Sequence, residues 1–162
     1  MGDQEPENKV ASGHLRTTRR SLPIALLRAR ESVMAHFRPM LSRYDLTEQQ
    51  WRVMRVLAEE GEMDATQLAA KALILAPSLT RMIRLLEKRL LILIRKDADD
   101  GRRTLVRIAP EGLALIERIR PESAAVYQML ETRCGGAELE SLMDQLDRLV
   151  NCLGPAEAQG DD

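Results

Sequence analysis

Residues 47–109 set out three short helical patterns followed by a basic hairpin, and this order constrains the fold more than any other feature of the chain. In the third pattern Leu79, Met82, Ile83 and Leu86 recur at the spacing of one helix face, and Ser78, Arg81, Arg84 and Lys88 form a stripe on the other. The hairpin tip reads Asp97-Ala98-Asp99-Asp100-Gly101-Arg102-Arg103. A polar, basic helix followed by a basic loop is what a protein needs to enter one DNA groove and brace against the next.

The remaining elements follow from their own punctuation. Thr47-Glu48-Gln49-Gln50 is a capping-box pattern that opens a helix to about Glu59, with Trp51, Met54 and Leu57 on its inner face. Asp64-Ala65-Thr66-Gln67 repeats the pattern and predicts a helix through Ala72, with Leu68, Ala69 and Ala72 inward. Pro77 opens the basic helix. Leu91–Lys96 and Arg102–Ile108 are rich in Ile, Leu and Val and predict two strands joined across Asp100-Gly101. Upstream, Ser21-Leu22-Pro23 predicts a helix to about Arg43 with Leu26, Leu27, Val33, Met34, Phe37 and Leu41 on one stripe. Downstream, Pro110 opens a long helix ending at Gly135-Gly136, and a last helix follows to Leu153 with Leu139, Leu142, Met143, Leu146, Leu149, Val150 and Leu153 on one face.

The expected architecture is mainly α with a small β-hairpin wing. It comprises a disordered arm over 1–20, an N-terminal dimerisation helix over 21–46 and a winged helix-turn-helix over 47–109. C-terminal dimerisation helices over 110–153 and a disordered tail over 154–162 complete it. The helices outside the DNA-binding unit carry apolar stripes that a lone helix cannot bury, which predicts a homodimer.

Charge supports the same reading. The chain is near neutral, at −1, yet residues 76–109 hold nine Lys/Arg against four Asp/Glu, and residues 110–162 hold four against eleven. A basic patch on a near-neutral protein suits a selective DNA binder, because the acidic remainder repels phosphate wherever the geometry is wrong. Cys134 and Cys152 form no ligand motif and read as small buried hydrophobes. With only His14 and His36 as histidines, no zinc set or catalytic group stands out, so neither enzyme activity, metal nor cofactor is expected. No signal peptide or long apolar run is present, so a cytoplasmic location and no membrane partner are the expectation.

The arrangement resembles the MarR family of bacterial winged helix-turn-helix regulators over residues 21–153. Arg95 with Asp100-Gly101-Arg102-Arg103 is similar to that family's wing motif. The blocks Ala25-Leu26-Leu27-Arg28-Ala29-Arg30-Glu31, Phe37-Arg38-Pro39, Leu46-Thr47-Glu48-Gln49-Gln50-Trp51-Arg52-Val53 and Pro77-Ser78-Leu79-Thr80 resemble regulators of homoprotocatechuate (4-hydroxyphenylacetate) degradation operons. The resemblance implies a homodimeric repressor that binds double-stranded DNA at a pseudo-palindromic operator and releases it when a small aromatic acid binds. Two positions depart from the family. Leu90 stands where a glycine is usual, suggesting that the basic helix runs on, and Ala109 stands where a threonine usually caps the next helix.

The candidate DNA contacts are Ser78, Thr80, Arg81, Arg84 and Lys88 on the basic helix and Arg95, Arg102 and Arg103 on the wing, with Asp100 orienting the wing through Arg95 or Arg102. An aromatic acid needs a cation for its carboxylate and a flat apolar wall for its ring, which points to Arg28, His36, Arg38 and Trp51. A MarR-type regulator of drug efflux or stress is the alternative within the class. A helical protein-interaction module that has lost DNA binding is the alternative outside it, and the basic patch argues against it.

Overall fold

The computed structural model describes residues 20–154. Its elements are α1 (Leu22–Arg43), α2 (Glu48–Glu60), β1 (Met63–Asp64), α3 (Ala65–Ala72), α4 (Ala76–Lys88), β2 (Ile92–Lys96), β3 (Thr104–Ile108), α5 (Pro110–Cys134) and α6 (Gly136–Leu153). Apart from Arg20 and Gly154, the expected arm and tail lie outside the described residues. Among the described residues no helix is long and apolar enough to cross a membrane. The chain divides into two compact units within α1, between His36 and Phe37. In the N-terminal unit α1 exposes Leu22, Leu26, Leu27 and Val33.

The second unit holds the core. Phe37, Met40 and Leu41 from the last turns of α1 are buried, as are Val53, Met54 and Leu57 of α2 and Leu68 and Ala72 of α3. All four apolar residues expected on the inner face of the basic helix, now α4, are buried as well. Trp51 is only half-buried, and Val53 takes the core position beside Met54. Phe37 meets Tyr127 of α5 edge to face at 5.2 Å between ring centres. No residue of α6 is buried, and Leu142, Met143, Val150 and Leu153 are exposed. Cys134 and Cys152 are also exposed, which corrects their reading as buried hydrophobes.

Both capping boxes form. The Gln50 backbone N–H donates to Thr47 Oγ1 at 3.2 Å, and the Gln67 N–H donates to Asp64 Oδ1 at 2.8 Å. Each glutamine side chain in turn accepts the cap residue's own N–H. This satisfies two otherwise orphaned donors per helix and sets the start of α2 and α3.

The hairpin has a third partner that sequence reading passes over. β1, only two residues long, pairs with β3, giving an antiparallel sheet of order β1-β3-β2. Val106 at its centre faces both Met63 and Ile94. The hairpin loop is closed by the Asp97 N–H donating to the Arg103 carbonyl at 3.1 Å. Ala109 caps α5 with no side-chain bond, and Pro110 supplies the fixed first turn. Gly112 is required by close approach, because a Cβ there would lie 2.2 Å from the Leu91 carbonyl oxygen.

Among the described residues three helices end in a left-handed residue that is not glycine. Asp45, Leu73 and Leu90 have φ of 52°, 52° and 58°. In each case the next residue, Leu46, Ile74 or Leu91, is buried and sends its N–H back five residues, to Leu41, Ala69 and Leu86 at 3.1, 3.0 and 3.0 Å. This is the Schellman closure, in which an apolar residue just past the turn locks the chain's exit direction. The basic helix therefore stops at Lys88 and does not run on through Leu90, which adopts the glycine conformation without being glycine. Left-handed leucine costs about 1–2 kcal/mol, partly offset by the entropy that glycine loses on folding, about 0.5–1 kcal/mol. Leu90→Gly should accordingly raise stability by about 1 kcal/mol, read as a higher urea midpoint at unchanged slope. A lower midpoint would show that the exposed Leu90 side chain contributes packing.

Candidate DNA interface and ligand cavity

Burial of one side of α4 turns the other outward. Ser78, Thr80, Arg81, Arg84 and Lys88 are all exposed. Among the described residues no side-chain hydrogen bond or ion pair holds Ser78, Arg81, Arg84 or Lys88, while Thr80 Oγ1 donates to the Ala76 carbonyl at 3.1 Å and keeps its acceptor lone pairs. Both ends of α4 are joined to neighbouring elements by arginines. At the N-terminal end Arg52 of α2 donates to the Ala72 carbonyl at 2.9 Å and the Leu73 carbonyl at 3.4 Å. At the C-terminal end Arg89 donates to the consecutive carbonyls of Tyr44, at 3.0 Å, and Asp45.

The three wing arginines differ in how they are held. Arg95 Nε donates to Glu62 Oε2 at 3.0 Å, and Arg103 pairs with Asp64. Both carboxylates come from the segment around β1, so the third strand anchors the wing through charge as well as backbone pairing. The Arg95 guanidinium holds the Glu62 carboxyl below its ordinary range. The backbone N–H of Gln67, then Arg103, does the same for Asp64. Contrary to expectation, Asp100 pairs with the side chain of neither Arg95 nor Arg102. Its Oδ1 accepts the Arg102 backbone N–H at 3.0 Å, a local bond that shapes the loop tip. The Arg102 side chain has no hydrogen-bond or ion-pair partner among the described residues, which leaves it available to a ligand outside the chain.

A cavity of about 510 Å³ lies between α2 and α5. Trp51, Arg55 and Ala58 line one side, and Leu113, Ile116, Arg120, Ser123 and Tyr127 the other. Ser123 is the one buried polar residue described. Arg55 sits 5.7 Å from the Trp51 ring centre and donates to Glu59, while Arg120 pairs with Glu117. Exposed pairs of this kind contribute little, so either guanidinium can exchange its carboxylate partner for another. Of the four expected ligand residues, Trp51 lines this cavity. Arg38 is paired with Glu48 at the start of α2, and Arg28 and His36 are exposed on the N-terminal part of α1. Arg55 was missed, although its spacing of four from Trp51 puts both on one helix face. Arg120 and Tyr127 could not be found from spacing alone, since they come from another helix.

Beside the cavity, Tyr44 Oη donates to Glu122 Oε1 at 2.6 Å, and Arg43 pairs with the same carboxylate. Those two contacts hold Glu122 below its ordinary range, and the bond to Glu122 raises the Tyr44 phenol.

A three-helix unit followed by a strand pair, with one basic helix turned outward and a basic loop beside it, defines a winged helix-turn-helix DNA-binding protein. Residues 46–104 match the MarR family. The chain is 39% identical to the homoprotocatechuate degradative operon repressor of Escherichia coli over 130 residues, covering 80% of this chain and 88% of that one. It is 40% identical to the HTH-type transcriptional regulator FarR of Neisseria gonorrhoeae over 130 residues, 80% of this chain and 89% of that one. Among solved structures it resembles transcriptional regulator PA4135, with TM-score 0.78 and 39% identity over 80% of this chain and 95% of that one. It also resembles NadR in complex with 4-hydroxyphenylacetate, with TM-score 0.72 and 38% identity over 84% and 96%. The chain belongs to the MarR family and is a MarR-type transcriptional repressor.

The lowered carboxylates give a pH dependence with a definite sign. A carboxyl whose folded pKa lies below its unfolded value stabilises the fold above the unfolded value, and that contribution is lost as pH falls through the folded one. Glu62, Asp64 and Glu122 all have this sign. Thermal melts from neutral pH down to about pH 3 should show stability falling below the ordinary carboxylate range, and more shallowly in a Glu62→Gln/Asp64→Asn variant. Equal acid sensitivity in both proteins would remove these groups from the account.

Proposed function

We propose that this repressor acts in the cytoplasm as a homodimer on a pseudo-palindromic operator. A small aromatic acid releases it, and its target genes serve aromatic-acid catabolism. The observation that carries the effector reading is the cavity between α2 and α5, with a tryptophan wall, a tyrosine and two arginines. It occurs in a chain 38% identical to a protein solved with 4-hydroxyphenylacetate. In this reading Trp51 and Tyr127 flank the ring and Arg55 takes the carboxylate, with Arg120 across the cavity. This moves the cation from Arg28, His36 or Arg38 to residues that share the cavity with Trp51.

On the DNA side, α4 enters the major groove with Ser78, Thr80, Arg81, Arg84 and Lys88, and the wing reaches the flanking minor groove with Arg102. Arg95 and Arg103, tied to Glu62 and Asp64, set the wing's position and add positive charge. The exposed apolar residues of α1, and separately those of α6, supply surfaces that a second copy would cover. Two-fold symmetry then puts two copies of α4 about one helical turn, ~10–10.5 base pairs, apart.

Three measurements test this. Light scattering should find a dimer at micromolar concentration, and a folded monomer there would contradict the assembly. Arg84→Ala should cost about 1–3 kcal/mol and relax preference at one position per half-site. Arg102→Ala should instead weaken all sites evenly and flatten the salt dependence, and unchanged affinity in both variants would refute the assigned face. Arg55→Ala should keep operator binding and lose release by 4-hydroxyphenylacetate, in calorimetry and gel shift alike. If Arg28→Ala loses the response and Arg55→Ala keeps it, the carboxylate belongs on α1. If no aromatic acid binds wild type at millimolar concentration, the effector reading is wrong.

A further inference from the structure

The turn Leu73-Ile74-Leu75 joins α3 to α4, and it presents two leucines to solvent. Leu73 and Leu75 are 81% and 79% exposed, the highest values among the large apolar residues described. They do not stand on a loose loop. Ile74 between them is buried, its N–H bonds back to Ala69 at 3.0 Å, and Arg52 holds the Ala72 and Leu73 carbonyls. The turn is therefore held from beneath while its two outer side chains stand largely in solvent.

Two local preferences are broken to keep them there. Leu73 takes a left-handed conformation that glycine adopts freely. Leu75 occupies the N-cap position of α4, where Ser, Thr, Asp or Asn would accept a backbone N–H, and no side chain caps that helix. Local rules broken in favour of exposed apolar surface mark places where a partner covers that surface.

Continuity with the basic face identifies the partner. Leu75 immediately precedes the first turn of α4, three residues before Ser78 and six before Arg81. The N-terminal residues of a recognition helix are those that approach base edges. In the major groove the apolar group on offer is the thymine 5-methyl. We propose that Leu75 is a specificity-determining residue that reads a thymine 5-methyl group in each half-site, with Leu73 resting on the adjacent deoxyribose. The inference rests on α4 being the helix that enters the major groove, and it is independent of the effector.

Deoxyuridine differs from thymidine only by the missing methyl, so it isolates the contact. The operator is first mapped by footprinting on DNA upstream of the protein's own gene, and each thymine is then replaced in turn. Wild type should lose about 4-fold in affinity at one thymine per half-site, and roughly 15-fold when both are replaced. Leu75→Ser should bind the thymine and uracil forms equally. Because serine supplies the missing cap acceptor, this variant should melt no lower than wild type, so loss of discrimination cannot be attributed to unfolding. A wild type insensitive to every substitution, or sensitivity that persists in Leu75→Ser, overturns the proposal. In either case Arg84→Ala locates the error. If that variant relaxes base preference, the α4 face stands and only the leucine assignment falls, whereas if it binds unchanged the face itself is wrong.

Discussion

Burial of Leu79, Met82, Ile83 and Leu86 on one side of α4 is the interaction on which the rest depends. An α-helix with one side locked into a core has no freedom in how it presents the other, so these four side chains aim Ser78, Arg81, Arg84 and Lys88 outward. The stripe is not free to exist without that burial. Four exposed polar and basic residues on a short isolated helix would not fold by themselves, since a helix of this length draws its stability from tertiary packing. The Schellman closure at Leu90 then ends α4 and directs the chain into β2 through the buried Leu91, so the wing's position is inherited from the same core.

Arginine does three different jobs here, and surroundings decide which. Arg52 donates to carbonyls in the turn between α3 and α4, and Arg89, just past α4, donates to those of Tyr44 and Asp45. Arg95 and Arg103 pair with carboxylates beside β1 and hold the wing. Arg84 and Arg102 have no side-chain partner among the described residues. For exposed groups such pairs stabilise little, and their value lies in fixing direction. The proximity of Glu122 to the cavity-lining Ser123, and its bond to Tyr44, puts the helix beside the cavity in hydrogen-bonded continuity with the loop that Arg89 grips.

Much of this was legible in the sequence, because the signals were local. Thr47 with Gln50 and Asp64 with Gln67 announce α2 and α3 through a mechanism that needs no tertiary partner, and the period of Leu79, Met82, Ile83 and Leu86 announces α4. What was missed is non-local or breaks a rule. Met63-Asp64 is too short to show alternation, and it becomes a strand only because β3 offers it an edge. Leu90 carries no sign that it adopts a left-handed turn, since the usual marker is glycine and the driving force is burial of the next residue. Trp51 lines the cavity, but its neighbours there, Arg120 and Tyr127, come from a helix that sequence spacing cannot bring beside it. The wing pairs Arg95–Glu62 and Arg103–Asp64 were likewise invisible until β1 brought their carboxylates alongside.

The central claim is that one chain couples a cavity at Trp51 to a DNA face at α4. Trp51 is the only tryptophan of the chain, so its fluorescence reports the cavity directly. The most direct measurement is a titration of that fluorescence with 4-hydroxyphenylacetate, first on the free protein and then on the protein saturated with its operator. Coupling between two sites is reciprocal, so a ligand that releases DNA must bind more weakly when DNA is present, by a factor of commonly ~5–150. The account predicts a saturable change in Trp51 emission whose midpoint moves to higher ligand concentration on the operator complex. A flat emission signal, or a midpoint indifferent to the operator, would contradict it.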